Sequence, residues 1–217
     1  MKEDLFSISI KGILQYNGYY LLRKNQRKEY ELLGGRLEYS DPSLQRRLCT
    51  EFLEESGILV HNLAPREPWL YIIGSNNVIV LPYLCSAYHD HIPDKVHDLD
   101  GGELHWISTD TLNSISLPIG YYDSILGKVP RKTYSPYVKK YLKIIPGYKE
   151  CLFRIRVNLY DVYHNKIFKA YLNHYESPRE LIKLKLGNKY SSENIFSMET
   201  EFESDVINVN YVLVEVK

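Results

Sequence analysis

The chain has 217 residues, 44% of them hydrophobic and 25% charged. That is enough apolar material for a core without disulfides or a structural metal, and no apolar stretch approaches the length of a membrane span. The charge balance of zero hides an asymmetry: residues 1–127 carry 11 Lys/Arg against 17 Asp/Glu, and residues 128–217 carry 16 against 10.

An acidic half followed by a basic half suggests two units. The basic unit either draws phosphates toward an acidic neighbour or simply complements it in packing. Three cysteines (Cys49, Cys85, Cys151) form an odd set with no paired spacing. Cys85 ends the apolar run Val80 to Cys85 and reads as a buried thiol, so the expected compartment is reducing and cytoplasmic. The opening Met1-Lys2-Glu3-Asp4 lacks a signal-peptide pattern.

Phe6 to Leu14 alternates in the period of a strand. Asn17-Gly18 marks a hairpin turn, with Tyr19 to Leu22 as the returning strand. A charged loop leads to Tyr30-Glu31-Leu32-Leu33 and the pair Gly34-Gly35. Asp41-Pro42 offers an N-cap with proline at the first helical position, and the helix is expected to run to Ser56 and stop at Gly57. Further strands are expected at Val78 to Tyr88 and Leu104 to Ile107. From Ser135-Pro136 a short amphipathic helix is expected, ended by Pro146-Gly147. Beyond it lie alternating segments at Leu152 to Val162 and Ile167 to Asn173, joined at His164-Asn165. A helix opening at Ser177-Pro178 and a closing strand at Val206 to Val216 follow.

One stretch carries chemistry. Glu51, Glu54 and Glu55 are three and four residues apart, so on a helix they share a face within about a 100° arc. Carboxylates held so close repel one another unless a cation neutralises them, and clustered hard oxygens select Mg²⁺ or Mn²⁺. The Gly34-Gly35 turn ahead of the helix lets a carbonyl or a phosphate approach closely. Such an arrangement suits hydrolysis of a phosphoanhydride. A solvated acidic helix face would have the same spacing.

Gly35, then Glu51, Phe52, Glu54, Glu55, Gly57 and Ile58 resemble the Nudix box, G-x5-E-x7-R-E-U-x-E-E-x-G-U with U aliphatic. Glu38 matches an acid often seen three positions after the glycine. The flanks Tyr20-Leu21-Leu22-Arg23, Tyr30 to Gly35, and Glu103 to Ser108 followed by Leu117-Pro118 are also similar to that family. The similarity covers roughly residues 5–127. It departs in three places: one extra residue between Gly35 and Glu51, Asp41 after the five-residue gap, and Thr50 where the family has arginine. Arg47, one turn before Glu51, is a candidate to stand in for that arginine by orienting the glutamates.

The resemblance implies an α/β fold, a Nudix-type α/β/α sandwich with a mixed sheet over residues 1–127. A basic linker helix (128–149) and a smaller α+β domain (150–217) of unknown role would follow. It implies Glu51, Glu54, Glu55 and the Gly35 carbonyl as ligands of Mg²⁺, with Mn²⁺ as the alternative. The proton acceptor would be Glu51, Asp100 or Glu103, the last two on the acidic loop before Trp106. The implied substrate is a nucleoside diphosphate derivative, and the implied assembly a homodimer. The competing expectation is a Nudix-like nucleotide sensor that has lost turnover, which Thr50 and the extra residue favour.

Other motifs have plainer readings. His89-Asp90-His91 has the spacing of a zinc pair but no partner Cys or His, so a surface loop is expected. Trp69-Leu70-Tyr71 belongs to a core sooner than to a base-stacking surface. The basic, tyrosine-rich segment Lys128 to Lys149 reads as the polar face of the linker helix, with nucleotide or RNA phosphates as its alternative partner.

Overall fold

The computed structural model describes residues 4–25, 27–88, 102–135, 151–187 and 194–214. Two sheets organise them. The larger is mixed, with strand order β3-β2-β1-β6-β5-β8, β4 added on β6 and β7 on β2. Its strands are β1 (Ser7–Tyr16), β2 (Tyr19–Lys24), β3 (Tyr30–Leu32), β4 (Val60–Pro65), β5 (Trp69–Ile73), β6 (Asn76–Ala87), β7 (Glu103–Ser108) and β8 (Thr133–Ser135). The helices α1 (Leu44–Ser56) and α2 (Ile119–Ile125) cover its two faces. Leu44, Leu48 and Phe52 of α1 enter one core, and Tyr121 and Ile125 of α2 the other. This is the expected α/β sandwich with a mixed sheet.

The β1–β2 hairpin turns at Asn17 and Gly18, both with positive φ (49° and 82°), as its two-residue loop requires. The strands then part. β1 pairs with β2 only at Gln15 and Tyr16, and runs parallel to β6 from Ser7 to Leu14. Into the gap comes the chain after β3: Gly12 N–H donates to the Leu33 carbonyl and Ile10 N–H to the Gly35 carbonyl, both at 2.9 Å. The Gly34-Gly35 turn is thus sewn onto the middle of β1. Gly34 has φ +126°, and a Cβ there would collide with the Ile10 carbonyl oxygen. Gly34→Ala should therefore lose about 2–3 kcal/mol of stability in a denaturant titration. A loss under 0.5 kcal/mol would show that the turn is not held this way.

The capping of α1 differs from the sequence expectation. Ser43, not Asp41, is the N-cap, and its hydroxyl accepts from Arg46 N–H at 3.1 Å. Asp41 instead closes the preceding turn by accepting from Glu38 N–H at 2.7 Å. At the other end Gly57 adopts φ 70° and donates to the Leu53 carbonyl, the expected stop.

The second sheet has the order β10-β9-β12-β11, from β9 (Arg154–Asp161), β10 (Lys166–Tyr171), β11 (Ile195–Glu203) and β12 (Val206–Leu213). The helix α3 (Pro178–Leu186) begins with a capping box between Ser177 and Glu180. Ile155, Val157, Leu159, Ile207, Val209 and Tyr211 join Ile8, Ile10 and Phe52 in one continuous core. Phe6 and Phe153 exchange backbone hydrogen bonds at 2.9 and 2.8 Å. The sharpest cross-link is polar. Arg179 grips both oxygens of Glu67, at 3.1 and 2.6 Å, while Tyr211 Oη donates to Glu67 at 2.8 Å.

Strands β4, β5, β8 and β11 were not expected from the sequence. Ser135 ends β8, which runs parallel to β5. Of the expected linker helix (128–149), residues 128–135 are loop and β8 rather than helix, because Thr133 to Ser135 pair with β5; residues 136–149 lie outside the described residues, as do His89, Asp90, His91 and Asp100. Trp69 is fully buried and packs edge-on against Tyr121, in the second core. No helix among the described residues is long and apolar enough to cross a membrane.

Candidate functional site

The last two turns of α1 lie against the Gly34-Gly35 turn. Glu55, 3% exposed, accepts from Gly34 N–H at 2.8 Å through one oxygen and from Arg23 Nη1 at 2.7 Å through the other. Glu51 lies so close to Gly35 that a Cβ on that glycine would overlap its carboxylate. Arg47 ion-pairs with Glu51, donates from Nε to the Arg36 carbonyl at 3.0 Å, and lies 3.7 Å from Asp41. Glu54, one residue before Glu55, is exposed and engages no hydrogen bond or ion pair among the described residues.

A third cation enters from β1. Lys11, 6% exposed, donates from Nζ to the Gly34 carbonyl at 2.7 Å and stands 3.9 Å from Glu31. Burial pushes the Glu55 carboxyl above its ordinary range. Lys11 opposes that shift most strongly, ahead of the Gly34 amide and Arg23, while Glu51 adds to it. Two of the three carboxylates on this helix face are therefore met by cations, Arg23 at Glu55 and Arg47 at Glu51, with Lys11 behind Gly34.

The remaining expected residues separate. The Gly35 carbonyl accepts from Ile10 N–H within the sheet, and the carbonyl reached by a cation is that of Gly34. Glu38 contributes its backbone to the turn closed by Asp41. Glu103 sits on β7 opposite Lys24 and bonds it at 3.2 Å. Along β2, Tyr20 and Leu22 face the second core and Leu21 the first. Lys24 and Glu103 thus follow one face, while Arg23 follows the other and meets Glu55. Thr50 is exposed. Among the described residues, no group of three or more His, Cys, Asp or Glu is placed to hold a metal. The donor set of Glu51, Glu54 and Glu55 is nonetheless all hard oxygen on one helix face, which fits Mg²⁺ or Mn²⁺ in kind, with Glu51 and Glu55 each held by an arginine.

Lys11 and Arg23 were missed by the sequence reading. Lys11 had a signal: it is the one charged residue in the apolar run from Phe6 to Leu14. Arg23 had none beyond its place at the end of a strand.

A cavity of about 490 Å³ opens on the second-core side, where β5, β8 and the start of α2 meet. Glu29, Tyr71, Pro118, Ile119, Lys132 and Tyr134 are among its lining residues. Glu29, 9% exposed, accepts from Arg27 at 2.8 Å and Tyr71 Oη at 3.2 Å. Burial, then the Glu29 charge, push the Tyr71 phenol up to about 12, so it stays protonated and donates.

Neither a family model nor a curated protein matches the sequence. Solved structures do match it. The MutT protein of Bacillus halodurans aligns at 14% identity over 76% of this chain and 97% of its own, with a TM-score of 0.47. That of Methanosarcina mazei aligns at 20% over 58% and 94%, with a TM-score of 0.46. A MutT Nudix hydrolase of Burkholderia pseudomallei aligns at 21% over 48% and 84%, with a TM-score of 0.40. The chain is similar in structure to Nudix hydrolases. At these identities the likeness concerns shape, and the chemistry rests on the chain's own side chains.

Proposed function

We propose that the chain hydrolyses a phosphoanhydride bond in a nucleoside-diphosphate-linked substrate with the help of Mg²⁺ or Mn²⁺. One observation carries this reading. Glu51 and Glu55 are locked against a Gly-Gly turn by dedicated arginines while Glu54, beside them, is left open. A merely solvated acidic face has no need of a glycine whose Cβ would overlap a carboxylate, nor of a glutamate buried to 3%.

Glu54 would be the principal ligand, with Glu51 and Glu55 completing the set. Bound there, the ion would neutralise the diphosphate and lower the pKa of a water. Arg23 and the Gly34 amide fix the direction of Glu55, and Arg47 fixes that of Glu51. Glu51, against the turn, is the preferred proton acceptor over Glu103, which pairs opposite Lys24 and so follows the other face of β2 from Arg23 and Glu55.

The test is product release from a panel of nucleoside triphosphates, dinucleotides, ADP-ribose-like compounds and sugar nucleotides, with Mg²⁺ or Mn²⁺ and with chelator. Turnover of at least one member, abolished by chelator, is the expected result. Nucleotide binding without turnover would instead support a sensor. That second reading draws on the three cations already facing the glutamates and on Thr50 in the place of the family's arginine.

A further inference from the structure

Lys11 is a buried cation in the middle of an otherwise apolar strand. Its same-side neighbours on β1 are Ser7, Ser9 and Ile13, all buried, and packing alone would be met by an apolar residue. The ammonium has one carbonyl at 2.7 Å and one carboxylate at 3.9 Å, modest company for a charge 6% exposed. Buried charge of this kind costs stability unless it is paired and hydrogen-bonded.

What it touches gives the reason. Gly34 is pinned from two sides: its N–H donates to Glu55 and its carbonyl accepts from Lys11. Lys11 and Glu55 are therefore joined through one peptide residue, in the turn that lies against the glutamates. A fixed positive charge there offsets part of the negative charge that would attract a divalent ion.

We propose that Lys11 is a resident cation of the carboxylate site, a positioning residue that pins Gly34 and whose fixed charge limits how tightly a divalent ion is held. The assignment rests on the reading of the site as a metal centre. Its consequence is an ion held weakly in the free protein and firmly only once a diphosphate supplies further oxygen ligands and negative charge.

The experiment is Mn²⁺ binding by electron paramagnetic resonance on the full chain, without substrate, comparing wild type with Lys11→Gln, Lys11→Met and Lys11→Arg. Circular dichroism accompanies each to establish folding. Glutamine retains a hydrogen-bond donor and removes the charge, so it reports on the charge even where methionine fails to fold. The expected result is Mn²⁺ affinity about tenfold tighter in Lys11→Gln, from removing a unit charge while a donor toward Gly34 remains, and a smaller gain in Lys11→Met, which also loses the hold on Gly34. Lys11→Arg should stay near wild type. A merely structural lysine would, on removal, loosen the turn and weaken binding. Equal or weaker affinity in folded Lys11→Gln overturns the assignment and leaves the metal reading standing. Absence of Mn²⁺ binding by all four proteins overturns the metal reading, and the assignment with it.

Discussion

Glu54→Gln should lower kcat about 100-fold or more while leaving the denaturation midpoint unchanged. A 100-fold loss corresponds to about 2.7 kcal/mol of transition-state stabilisation. The separation follows from where the side chain stands. Glu54 is exposed and engages no group among the described residues, so its carboxylate supports nothing in the fold. Glu55→Gln would be a poorer probe, because it also disturbs the bonds from Arg23 and Gly34. Steady-state kinetics on the substrate identified by the panel, beside a urea titration, checks both halves. Turnover within threefold of wild type would remove Glu54 from the chemistry and leave the acidic helix face as surface.

The second large effect lies far from the glutamates. Arg179→Met should destabilise the protein by about 3–5 kcal/mol, because it strands Glu67 as a buried charge. Glu67 has a side chain 10% exposed and takes both its cationic bonds from Arg179, with Tyr211 adding a third contact. Arg179 also donates to the Ile195 carbonyl at 2.9 Å, so its loss removes a bond at the start of β11 as well. The double variant Arg179→Met, Glu67→Gln should recover part of the loss, since the uncompensated charge is gone. Denaturant midpoints of the three proteins measure this. A single-variant loss below 1 kcal/mol would mean that the apolar core alone holds the two sheets together.

The acidic and basic halves recognised in the sequence meet at such contacts. Glu67 with Arg179, and Asp4 with His174, pair a first-half acid with a second-half base. Among the described cations of the basic segment, Arg131 binds Asp123 and Lys132 binds Glu180. The Glu67–Arg179 and Asp123–Arg131 pairs account for part of the asymmetry as packing complementarity, whereas Lys132 and Glu180 both belong to the second half.

What was legible in the sequence was local. Asn17-Gly18 announced its hairpin because only residues tolerant of positive φ fit that turn. Ser177-Pro178-Arg179-Glu180 announced a helix start, and the period of the glutamates placed them on one face. The missed strands have a physical reason. β4 is mostly half-exposed with an irregular pairing, and β8 has three residues whose strand character comes from pairing with β5. The second sheet's role was equally hidden. Its β9 and β12 read as alternating strands, but nothing local indicates that they complete the core beneath α1. In the site, the carboxylates were visible because they share a helix. Their cations were not, because Arg23 is 32 positions from Glu55 and Lys11 is 23 from Gly34. Asp41 misled as a cap because an aspartate before proline suits a helix start and a turn alike.

The most direct test of the metal centre is a crystal of the protein soaked in Mn²⁺ with a non-hydrolysable diphosphate analogue, read by anomalous scattering. The account predicts a peak within about 2.0–2.3 Å of a Glu54 oxygen, with Glu51 or Glu55 and the analogue's phosphates sharing it. A peak elsewhere, or analogue bound with no Mn²⁺ at α1, would contradict it.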